Sequence, residues 1–165
     1  MADIALTAAQ IAPVFPQEAE IFDMIAAVAI TQGQAVYENS AGKAALADGN
    51  AGSGAEQFRG IALNAAGAGQ AVSVLKRGHV YGFTITGLAY DAVAYLSDTA
   101  GALADTPSTT NIVRAGRVMA LPDANLTKVL YIDAQWSAPA QGALSDADPP
   151  RSDRLVFDKA MQVLG

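Results

Sequence analysis

The stretch FRGIALNAAGAGQAVSVLKRG (residues 58–78) decides how the rest of the chain reads. Apolar residues alternate with small or polar ones on both sides of a centre that carries Gly67 and Gly69, and the basic pair Lys76-Arg77 follows. Period-2 alternation interrupted by a short Asn/Ala/Gly connection describes two strands and the turn between them. Phe58, Ile61 and Leu63 supply core side chains on the first strand, and Val72, Val74 and Leu75 on the second. Val72 and Val74 fall on one face, Ser73 and Leu75 on the other. Gly60 lets a neighbouring backbone come close, while Gly67 and Gly69 permit positive φ in the connection. Nothing in the stretch pairs a nucleophile with a base. It is architecture.

The same texture continues outward. HVYGFTIT (79–86) alternates Tyr81, Phe83 and Ile85 with Val80, Gly82 and Thr84, the pattern of a half-buried strand. IVRAGRVMAL (112–121) and KVLYIDAQW (128–136) are further strand segments, rich in β-branched and aromatic residues. Turn clusters separate them: ENSAGK, DGNAGSGAEQ, SDTAG and DTPSTTN. Short strands at this spacing predict an all-β fold, a small antiparallel β-barrel or sandwich. AVYENSAGKAALAD (35–48) is echoed by AVAYLSDTAGALAD (92–105), and a strand pair follows each copy. The echo predicts an internal duplication of a strand-turn-strand unit.

The ends differ from the middle. Residues 1–26 carry Pro13 and Pro16, which suit neither a continuous helix nor a central strand. Yet they also carry Ile4, Leu6, Ile11, Val14, Phe15, Ile21 and Phe22, too much large apolar surface for a solvated tail. An extended N-terminal arm laid on a neighbouring surface resolves the conflict. Residues 27–136 are then the barrel. Residues 137–165 are a linker, SAPAQGALSDADPP, followed by a docking segment, RSDRLVFDKAMQVLG, either a short amphipathic helix or an added strand.

Composition narrows the function. Of the residues 52% are hydrophobic, but 36 are alanines, so much of the apolar surface is methyl groups. Only 16% are charged, against about 25% in a typical domain, which favours a surface partly covered by a partner. The net charge of −6, with no basic stripe, argues against nucleic acid as a ligand. The longest apolar run, MIAAVAI, is far too short for a helical membrane span. With no cysteine there is no disulfide, thiolate zinc site or catalytic thiol. His79, the single histidine, lacks metal-ligand spacing and reads as a turn residue at the head of a strand. GNAGSG (49–54) lacks the Lys-Ser/Thr of a phosphate-binding loop. The aspartates sit in turn contexts. No catalytic residue, metal site or cofactor site is expected.

Several segments together carry a resemblance. They are AITQGQAVY (29–37), SAGKAALAD (40–48), FRGIAL (58–63), AGQAVSV (68–74) and KRG (76–78), with the opening MADIALTAAQIAPVF. This texture resembles the head-decoration, or capsid-cement, proteins of tailed bacteriophages, over most of residues 2–136. The resemblance implies a small β-barrel that trimerises on the outer surface of the virion. There it binds the major capsid protein and stabilises the expanded head. On that reading Ile4, Leu6, Ile11, Val14, Phe15, Lys76, Arg77, Leu155, Phe157 and Met161 contact the capsid or a neighbouring protomer. The alternative is a carbohydrate- or host-surface-binding module, with Trp136, Tyr131, Tyr81 and Tyr90 as stacking residues, although most of these fit core strand positions. A hydrolase built on carboxylates is a third reading, without a spacing to support it.

Overall fold

The computed structural model describes residues 1–136, and these form an antiparallel all-β fold of ten strands and a single short 3-10 turn (Ala8–Gln10). In chain order the strands are β1 (Ala12–Pro13), β2 (Glu20–Ile25), β3 (Ala35–Glu38), β4 (Ala44–Leu46) and β5 (Gly60–Ala62). Then follow β6 (Ala71–Tyr81), β7 (Val93–Leu96), β8 (Leu103–Ala104), β9 (Arg114–Ala120) and β10 (Lys128–Asp133). The expected C-terminal docking segment, with Leu155, Phe157 and Met161, lies outside the described residues.

β6, with 11 residues, is the spine. At Leu75 it pairs with Ile21 of β2 on one edge and Ile61 of β5 on the other. At Arg77 it pairs with Glu20 of β2 and Asp133 of β10. β2 and β1 therefore share one edge of β6, while β5 and β10 divide the opposite edge. The strand can do this because its burial switches register midway. Val72 and Val74 enter a small core with Val36, Ala62 and Ile30. Leu75 and Val80 enter the larger one with Ile61, Leu96, Leu130 and Ile132. Both faces of this part of the sheet are buried, which explains the dense apolar run.

The sheet order, β4-β3-β5-β6-β10-β9-β7-β8, is a palindrome. Each half is a hairpin followed by two strands, the topology that the sequence echo predicts. Ala35 faces Ile61 and Val36 faces Gly60 in one half; Val93 faces Arg117 and Ala94 faces Gly116 in the other. By this pairing Val93 stands where Ala35 does, one residue off the alignment that the sequence echo suggests. The sheet curls until its ends meet. The Ala35 N–H donates to the Gly101 carbonyl at 2.9 Å, and the Gly101 N–H to that of Ala47 at 2.7 Å.

Two expectations need correction. Residues 1–26 are extended but not an arm, because they are woven into the sheet. The Ile4 N–H donates to Leu103 O, the Thr7 N–H to Gly82 O and the Val14 N–H to His79 O, each at 2.8 Å. Ile4 and Ile11 are only 7% and 3% exposed, and both belong to the main core. The prolines are tolerated because Pro13 lies on the two-residue edge strand β1 and Pro16 where the chain bends between β1 and β2. The second correction concerns 79–86. The strand ends at Tyr81, Gly82 adopts φ +103°, and only an isolated bridge, Leu6 to Phe83, continues the pairing.

Candidate interaction surface

The outer edge of β2 is unpaired along Glu20–Ile25 among the described residues. Just past it, the Ala27 N–H donates to Ala44 O at 2.7 Å and the edge is closed again. β2 is apolar on both faces. Phe22 and Met24 are half-buried over the small core, whereas Ile21, Ile25 and the following Val28 are exposed. An open edge with large exposed apolar side chains is a template for pairing with another surface.

Beside this edge stands Trp136. Its Nε1–H donates to Arg59 O at 3.0 Å, and its ring meets Phe22 edge-on at 4.8 Å. The Lys76 ammonium lies 4.7 Å from the ring centroid, and the Arg59 guanidinium carbon 5.5 Å. Held on these sides, the indole is nevertheless 41% exposed. A fixed aromatic flanked by cations, next to an open apolar edge, has the make-up of an interface hot spot. Phe22, Met24, Ile25 and Trp136 line a groove of about 480 Å³.

The charges here orient rather than stabilise. Glu20 binds Lys76 at 3.1 Å and Arg77 at 3.7 Å, and Arg77 Nε donates to Asp133 at 3.0 Å. Such exposed pairs are screened by solvent and add little to stability. The bond to Asp133, with the charges of Asp133 and Glu20, raises the pKa of Arg77 further. Lys76 and Arg77 thus tie β2 and β10 to β6.

The expected contact residues scatter. Ile4 and Ile11 are core and unavailable to a partner; Leu6, Val14 and Phe15 are half-buried. Of the described ones, only Lys76 and Arg77 adjoin the β2 surface. His79 sits within β6, not at its head, with Phe15 at 5.4 Å and Tyr131 at 4.9 Å between ring centroids. Trp136, Tyr81 and Tyr90 are exposed, contrary to the expectation that such aromatics fill core strand positions. Among the described residues, no group of three or more His, Asp or Glu converges as metal ligands would. The missed residues are Ile25 and Val28. Apolar side chains on both parities of EIFDMI signal a strand covered on both sides or awaiting cover. No protein-family model, curated protein or solved structure matches the chain.

Proposed function

We propose that the protein is a structural component of a phage virion that binds the outer capsid surface as a homotrimer and cements the expanded head. The observation that carries this reading is the open β2 edge beside the anchored, exposed Trp136. A small closed sheet with a low charge fraction needs a partner for such a face. The repeated contacts of a capsid lattice, or of a cyclic trimer, let one patch serve every copy. The resemblance of residues 2–136 to head-decoration proteins supports the same conclusion. The protein acts by binding, with the major capsid protein as partner, and performs no catalytic step.

Mixing purified protein with undecorated, expanded phage heads tests this. Saturable binding with a higher disruption temperature is expected. Heads that gain neither mass nor stability would refute the proposal.

A further inference from the structure

We infer that a second groove, between the end of β6 and the β9–β10 connection, is a binding site for a neutral carbohydrate. This inference does not rest on the capsid reading. The groove, about 510 Å³, collects residues 81–86, Tyr90, residues 125–128 and two positions of the N-terminal segment.

Two tyrosines dominate it, Tyr81 at 51% and Tyr90 at 49% exposure. Tyr90 is fixed in place. Its hydroxyl donates to Leu126 O at 2.7 Å, and the Lys128 ammonium sits 5.0 Å from its ring centroid. A ring fixed before binding loses little entropy when a ligand stacks on it. The apolar C–H face of a sugar ring matches such an aromatic face.

The remaining lining suits hydroxyl groups rather than charge. Thr7, Gln10, Thr84, Thr86 and Asn125 offer hydroxyls and amides, which both donate and accept. No carboxylate among the described residues lines the groove. The ammonium of Lys128 is already committed to the carbonyls of Thr86, at 3.1 Å, and Leu88, at 2.5 Å. A basic ligand therefore finds no carboxylate to pair with and Lys128 has two of its three N–H donors already taken, whereas a neutral polyol finds both stacking and hydrogen-bonding partners.

The loop carrying Asn125 and Leu126 is held in a costly shape. Leu126 adopts φ +50°, unusual for a side chain of its size. Asp123 enforces the turn by accepting bonds from the Thr127 N–H at 2.8 Å and its hydroxyl at 2.6 Å. The strained residue lies where Tyr90 is anchored.

Screening the full chain against a glycan array, then titrating the best neutral oligosaccharide by amide NMR, tests the site. Shifts should centre on residues 81–86, Tyr90 and 125–128. Tyr81→Ala and Tyr90→Ala, both at exposed positions, should each weaken binding at least tenfold. The inference is overturned if no neutral glycan shifts these amides at about 10 mM, ten times a weak Kd of about 1 mM. Shifts centred on Trp136, binding confined to acidic sugars, or wild-type affinity in both variants would overturn it equally.

Discussion

Gly60 and Gly116 occupy the same place in the two halves of the sheet. Gly60 lies against the carbonyl oxygen of Leu75, and Gly116 against that of Tyr131, so that a Cβ at either position would collide with backbone. Their neighbours correspond too, since Ile61 faces Leu75 and Arg117 faces Tyr131. At each, β5 or β9 crosses its partner too closely for any side chain.

Gly60→Ala and Gly116→Ala should therefore each destabilise the protein by about 2–4 kcal/mol, since the colliding atom is backbone and cannot rotate away. Because the backbone there has φ +150°, an alanine at position 60 would carry conformational strain in addition. Chemical denaturation of the two variants measures this. Changes within about 0.5 kcal/mol would show that the strands separate easily.

Because residues 1–26 belong to the sheet, removing residues 2–20 should unfold the domain rather than merely loosen its grip on a partner. The deletion strips Ile4 and Ile11 from the main core and uncovers the edge of β6 at Arg77, Val80 and Tyr81. A milder version is Ile11→Ala, expected to cost about 2–5 kcal/mol. Circular dichroism of the truncated chain decides the matter; a cooperative melt at the wild-type temperature would return the segment to the status of an arm.

Trp136→Ala and Ile25→Asp separate binding from folding. Ile25 is exposed, so its replacement should change stability by no more than about 0.5 kcal/mol. Loss of Trp136 also removes its packing on Phe22, at about 1 kcal/mol. Both should weaken capsid binding or self-association tenfold or more, as loss of an interface hot spot does. Sedimentation with expanded heads, and light scattering of the free protein, would detect it.

Asp123 gives a pH signature. The bonds from the Thr127 hydroxyl and N–H hold its carboxyl below the ordinary value of 3.8. A depressed carboxylate pKa stabilises the fold above the unfolded value, and that contribution disappears as pH falls through the folded one. The Thr127 amide should thus keep its native shift at pH 4 and lose it only in stronger acid. In Asp123→Ala the acid transition of that amide should vanish. A carboxyl titrating above 3.8 would contradict the bonding.

The hairpin signal in FRGIALNAAGAGQAVSVLKRG was legible because a turn and two alternating strands are local features. The echo between 35–48 and 92–105 likewise carried over into a palindromic sheet. The N-terminal segment was misread because its partner, β6, lies some fifty residues away, as the pairing of Asp23 with Ser73 illustrates. Pro13 and Pro16 describe what the segment cannot be, not what it pairs with. Trp136 looked like core for a related reason. It ends the apolar segment KVLYIDAQW, but β10 stops at Asp133, and the placement of Phe22 and Lys76 leaves its ring half in solvent.

On the proposed function, the β2 edge with Trp136 is the face that docks. Hydrogen–deuterium exchange of the free and the capsid-bound protein measures this directly. Amides of residues 20–25 should exchange markedly more slowly on the capsid, because an open strand edge becomes covered. Unchanged exchange there, with new protection confined to another face, would contradict the account.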